Sequence, residues 1–241
     1  MRVLPCGSDA VLVEVDTAEE VQHLHGALRS APPVGITELV PAARTVLIRY
    51  DPRATDPQRL RTALRTLPRT AVAASAGAGA AGAGAAVRIP VRYDGPDLAE
   101  VAARTGLTER QVVERHTAAQ YRVAFCGFAP GFAYLTGLDP RLRLPRRTEP
   151  RTRVPAGAVA VADEYTGVYP SPSPGGWHLL GTTTLTLWDP AADPPSRLGP
   201  GTAVRFVEAP DGAPDRAPDR ASAEAPDGAP GGAPDTDGGA S

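Results

Sequence analysis

The apolar positions of the first 70 residues switch between a period near two and a period near three and a half. Residues 10–15 alternate in the manner of a strand and follow the turn-forming run Cys6-Gly7-Ser8-Asp9. Thr17 is then placed to cap a helix, with Glu20 three residues on as its box partner. Val21, Leu24 and Leu28 recur at spacings of three and four along that helix. Residues 36–40 and 45–50 read as two strands joined by the turn Pro41-Ala42-Ala43-Arg44. Asp56-Pro57 opens a second helix whose apolar stripe is Leu60, Leu64 and Leu67, with proline at the first helical position. The order β-α-β-β-α predicts a small α+β domain over residues 1–70, its helices on one face of a sheet.

The pattern stops at residues 71–86, a run of Gly and Ala with one Val and one Ser, without charge and without a large side chain. Such a run buries too little apolar area to offset its ordering entropy, so it reads as a linker. Patterned chain resumes over residues 87–208. A strand is predicted at 87–93 and two short helices at 97–105 and 108–116, the second capped by Thr108 with Gln111 three residues on. Short strands follow at 121–125, 159–161, 185–188 and 203–207, broken by Gly and Pro. Frequent short strands with this punctuation predict a mainly-β barrel or sandwich. Residues 209–241 repeat variants of APDGAP and read as a disordered acidic tail.

Composition sharpens this picture in three places. The 241 residues include 42% apolar and 22% charged, a globular balance. The net charge of -2 hides an asymmetry, since residues 209–241 carry seven acids and two arginines and the remainder is +3. That mild excess does not point to nucleic acid. All 25 basic residues are arginine, which excludes a phosphate-loop lysine, a Schiff base and a biotinyl-lysine from this chain. Two cysteines are too few for a disulfide framework, and four histidines without paired ligand spacing do not suggest a metal site. No run approaches a membrane span and the start does not resemble a signal peptide, so a cytoplasmic protein without a membrane partner is expected.

Candidate chemistry concentrates between residues 121 and 188, where nine of the twelve aromatic residues lie. Gly127-Phe128-Ala129-Pro130-Gly131-Phe132 displays two phenylalanines at a bend, either as the floor of an apolar groove or as core aromatics beside a turn. Six arginines fall between Arg141 and Arg153, among them Arg147 and Arg151. Guanidinium forks suit carboxylates and phosphates, so these arginines read as an anion-binding ribbon or as a solvated loop. Ser173-Pro174-Gly175-Gly176-Trp177-His178 pairs a permissive backbone with a flat aromatic wall, and His178 is of a type that titrates near neutrality. His116 ends a helix, where a cation would favour the dipole. No nucleophile elbow, phosphate loop or dinucleotide fingerprint is present.

Several of these runs, in order, carry a resemblance. HTAAQY from His116, GFAPGFAYL from Gly127, PRRxxPRxxVPAG from Pro145, TGVYP from Thr166, SPGGW from Ser173 and LxPGxxVRF from Leu198 strongly resemble the B-subunit family of bacterial 5-oxoprolinase. That family is also called allophanate hydrolase subunit 1 or the sensor-kinase inhibitor family. The resemblance spans residues 1–208 apart from the linker. It implies a cyclophilin-like barrel over residues 87–208 and partnership with a C subunit and a lactam-opening A subunit. Together such subunits convert 5-oxoproline, ATP and water to glutamate, ADP and phosphate, with ATP used by the complex. It implies His116 and Arg151 as catalytic residues, and Phe128, Phe132, Tyr134, Arg147, Tyr169 and Trp177 as substrate-binding residues. Two other readings share the fold: an inhibitor of a sensor histidine kinase, and a carboxyltransferase-type component of a urea carboxylase. The chain departs from the family at Asp163 and Tyr165, where Gly and Gln are common, and at Thr182, where Arg is common.

Overall fold

The computed structural model describes residues 1–66 and 85–209. Residues 71–84 of the linker expected at 71–86, Leu67 and the tail from residue 210 lie outside the described residues.

The first unit holds β1 (Arg2–Pro5), β2 (Ala10–Glu14), α1 (Ala18–Ser30), β3 (Ile36–Pro41), β4 (Thr45–Tyr50) and α2 (Pro57–Thr66). Its sheet runs β1-β2-β4-β3 with every pairing antiparallel. Alternation puts Val11 and Val13 of β2 and Val46, Ile48 and Tyr50 of β4 on one face. Val21 and Leu28 of α1 and Leu60 and Leu64 of α2 cover that face. Strand β1 was not predicted, because four residues ending in proline carry almost no periodic signal. Both edge strands end in proline, at Pro5 and Pro41, where a missing N–H costs no ladder bond. Thr17 caps α1 as expected, accepting from the Glu20 amide (3.1 Å), while Glu20 reaches back one residue further, to the Asp16 amide (2.9 Å).

The second unit is a nearly closed mixed-sheet barrel. Its elements are β5 (Val87–Val91), α3 (Leu98–Thr105), α4 (Glu109–Ala118), β6 (Tyr121–Cys126), β7 (Ala133–Thr136), a 3-10 turn (Pro140–Leu142), β8 (Arg151–Val154), β9 (Ala158–Ala162), β10 (Tyr165–Val168), β11 (Ser173–Gly175), β12 (His178–Thr182) and β13 (Ala203–Glu208). Seven strands run β12-β9-β10-β7-β6-β13-β5, with β13 and β5 parallel and the other pairs antiparallel. The two ends meet where Arg92 and Thr182 exchange backbone hydrogen bonds of 2.8 Å each. Closure satisfies backbone groups that an open sheet leaves at its edges. The interior is filled by Ile89, Val91, Leu135, Val159, Val161, Leu180 and Phe206, joined by Val101 of α3 and Val112 and Val113 of α4. The capping box of Thr108 and Gln111 starts α4 as expected.

One predicted strand is absent. Residues 185–188 form no strand, and Trp188 alone pairs, in an isolated bridge with Ser196. Leu187 is buried and Leu185 packs on the barrel core. The apolar alternation is therefore met without a ladder. The barrel touches the first unit where Gln22 Nε2 of α1 donates to the Ala124 carbonyl (2.9 Å).

Candidate functional site

Outside the barrel wall, β8 and β11 form a separate two-stranded ribbon that covers β9. This explains why all five residues of β9 are buried. Val159 and Val161 point into the barrel, whereas Ala158, Ala160 and Ala162 point out, toward Val154, Leu179 and a group of rings. Methyl side chains leave the space that those rings fill. Phe132 is their hub: Phe128, Tyr134, Tyr169 and Trp177 lie 5.3, 5.1, 5.2 and 5.4 Å from its centroid, all steeply inclined to it. Edge-to-face packing sets the positive rim of one ring against the negative face of another. Gly175 is required here, since a Cβ would run into the Tyr169 hydroxyl. The five aromatic residues expected at a binding surface are thus one cluster, and Phe132, Tyr169 and Trp177 are its buried part.

Phe128 is its open end, 62% exposed. It sits at the centre of a three-residue turn in which the Ala129 amide donates to the Gly127 carbonyl (2.9 Å), with φ at 72°. A bulky side chain in this left-handed region costs roughly 1–2 kcal/mol. Gly131 also has a positive φ, at 80°.

Arg147 and Arg151 meet on one carboxylate. Asp97 is 2% exposed, and its Oδ1 accepts from Arg147 Nη1 (3.0 Å) and Arg151 Nη2 (2.6 Å). Its Oδ2 accepts from the Leu179 amide (2.7 Å). Burial by itself would raise the Asp97 carboxyl, but Arg151, the Leu179 amide and Arg147 outweigh it and hold the group below the usual range. Arg147 Nη1 also donates to Glu100 Oε2 (3.0 Å), and Glu100 Oε1 accepts from Arg104 Nη1 (3.3 Å). His178 is fully buried beside this cluster, with Nε2 3.0 Å from the Pro145 carbonyl. A cavity of about 240 Å³ opens over Glu100, Arg104, Pro145, Arg146, Arg147 and Thr148. The arginines and the rings share a backbone: the Arg147 amide donates to the Gly176 carbonyl (2.8 Å), and Arg151 pairs with Gly175. Among the side chains of the described residues, four buried polar atoms have no hydrogen-bond partner: Arg147 Nε, Arg151 Nη1, Ser173 Oγ and His178 Nδ1.

His116 is held elsewhere, inside the barrel core. Its ring is fully buried and packs on Phe206 at 4.5 Å. Thr166 gives its proton to the Ala160 carbonyl (3.0 Å), so His116 Nε2–H donates to Thr166 Oγ1 (3.0 Å) and Nδ1 accepts from the Tyr93 hydroxyl (2.8 Å). Burial drives its pKa down to about 3. A neutral ring with both nitrogens engaged has a structural part, tying α4 to β10.

The three departures separate in space. Asp163 sits at φ 51° in the turn between β9 and β10, a conformation that glycine supplies and aspartate tolerates, and lies 3.6 Å from Arg146. Tyr165 extends the ring cluster, 5.6 Å from both Phe125 and Tyr134. Thr182 belongs to the barrel seam, its hydroxyl donating to Asp94 Oδ1 (3.0 Å). Asp97 itself escaped the sequence reading, because an aspartate before a helix reads as an N-cap.

The family model described as "Carboxyltransferase domain, subdomain C and D" matches residues 1–198. A protein from Escherichia coli O157:H7 that is named as the B subunit of 5-oxoprolinase is 54% identical over 129 residues, 52% of this chain and 59% of that one. A protein of the same name from Bacillus subtilis is 47% identical over 124 residues, 50% of this chain and 52% of that one. The chain therefore spans little more than half the length of these curated relatives. The solved structure of TTHA0988 superimposes with a TM-score of 0.67 at 43% identity, over 86% of this chain and 41% of that one.

Proposed function

We propose, because this chain belongs to the carboxyltransferase subdomain C and D family, that it acts as the B subunit of an ATP-dependent 5-oxoprolinase, opening the lactam of 5-oxo-L-proline to give L-glutamate together with C and A subunits. The relatives named as B subunits of 5-oxoprolinase favour this over the kinase-inhibitor and urea-carboxylase readings. The observation that carries it is the pair of guanidiniums, Arg147 and Arg151, fixed on one buried carboxylate beside an aromatic wall. 5-Oxoproline presents a carboxylate and a flat lactam ring. The arginines suit the carboxylate and Phe128, with the rings beneath it, suits the lactam face. Hydrolysis of so stable an amide is coupled to ATP, which the assembled complex consumes. A chain without lysine and without a phosphate loop contributes recognition of the acid and leaves the nucleotide's phosphates to its partners.

The test is Arg151→Ala in a complex co-purified with the C and A subunits. Truncating one partner of a buried charged hydrogen bond costs about 2–5 kcal/mol, so kcat/KM for 5-oxoproline falls by at least about 30-fold. An unchanged kcat/KM contradicts the assignment.

A further inference from the structure

We infer that Asp97 is a positioning residue that turns Arg147 and Arg151 into a preformed cradle for one small carboxylate. Three observations support this. Asp97 occupies the N-cap of α3, yet its side chain makes no capping bond to that helix. Aspartate is favoured at this position because it accepts from the first amides of the helix. Here both oxygens are spent across the fold, on two arginines and the Leu179 amide. Next, each arginine so fixed keeps a buried donor without a partner among the described residues, Arg147 Nε and Arg151 Nη1. Buried donors are almost always satisfied, so each of these two needs an explanation, and the one proposed is a ligand oxygen. Finally, among the described residues the three guanidiniums of Arg104, Arg147 and Arg151 pair with two carboxylates, Asp97 and Glu100, leaving one positive charge in excess. One monocarboxylate balances that charge and accepts from planar donors. The cradle is derived from this geometry; that its ligand is the carboxylate of a lactam acid rests on the function proposed above.

The two parts can fail separately. The full chain, labelled with ¹⁵N, is titrated with acetate, with 5-oxo-L-proline and with 2-pyrrolidinone, the same lactam without its carboxylate. The Arg147 Nε–H signal, assigned with Arg147→Lys, reports occupancy. Both carboxylates move it saturably and 2-pyrrolidinone does not; in Asp97→Asn saturation needs at least about tenfold more ligand. In the assembled complex Asp97→Asn raises KM for 5-oxoproline about tenfold with kcat within about twofold, and leaves KM for ATP unchanged, the pattern of lost uniform binding. Should Asp97→Asn fail to fold, Asp97→Glu keeps the charge but displaces it, and the same shifts are expected. No response to either carboxylate overturns the cradle, as does an aspartate variant that saturates like the parent chain. A response to acetate with none to 5-oxoproline keeps the cradle and removes the lactam assignment.

Discussion

The buried ring of His116 couples folding to pH. An unfolded histidine titrates near about 6.5, whereas burial holds this one at about 3. Between those values the unfolded chain binds a proton that the folded chain refuses. The stability His116 contributes is therefore complete above about pH 6.5 and declines as pH falls toward 3. His25, also lowered by burial, acts in the same direction. The Asp97 carboxyl, held low by its arginines, adds a second loss at more acid pH, as the medium falls through its depressed pKa. The urea midpoint should thus drop between pH 7 and pH 5, and His116→Gln should shrink that drop even while lowering the midpoint at pH 7. Equal drops in both proteins would contradict the account. Phe128 makes a different prediction. Phe128→Gly relieves a left-handed residue but gives up ring contacts, so folding stability stays within about 1 kcal/mol. KM for 5-oxoproline rises, because the exposed ring is lost from the wall. A melting curve and a KM measurement check the two halves. At this scale the density of rings and arginines marked the region, and the family resemblance singled out Arg147 and Arg151 within it. The sequence could not show that His116 is walled in, since burial depends on strands β10 and β13, which lie 50 and 90 residues further along.

Among elements, the barrel seam tolerates little change. Gly181 precedes Thr182 in β12, and a Cβ there would run into the Arg92 carbonyl. Backbone meets backbone at this point, so the clash relaxes only by parting the strands. Gly181→Ala should cost about 1–3 kcal/mol and should speed hydrogen exchange at the Thr182 amide. Wild-type exchange at that amide would contradict closure through this pair. The helices were legible because their caps and spacings are local: Thr17, Thr108 and the leucines of α1 and α2 all act within a turn or two. The strands β7, β8, β10, β11 and β12 were not, being three to five residues long and so too short to show a period. Their pairing is decided by partners distant in sequence. The unpaired segment 185–188 shows the converse error, since alternation reports which side chains are buried and not whether a ladder forms.

Over the molecule, a four-stranded sheet stands beside a seven-stranded barrel that carries the two-stranded β8–β11 ribbon. The four-stranded sheet with α1 and α2 abuts the barrel through Gln22 and the Ala124 carbonyl. The barrel carries the ring cluster and the Asp97 clamp on its outer side, joined through residues 175–179. The family was legible from six ordered motifs, and the match over residues 1–198 agrees with it. Among the described residues no helix is long and apolar enough to cross a membrane. The most direct test of the proposed activity is glutamate formation from 5-oxo-L-proline and ATP by this chain combined with its C and A subunits, set against the same mixture without it. Turnover that depends on this chain is the predicted result. Equal turnover in its absence, or no turnover from an intact complex, would contradict the assignment.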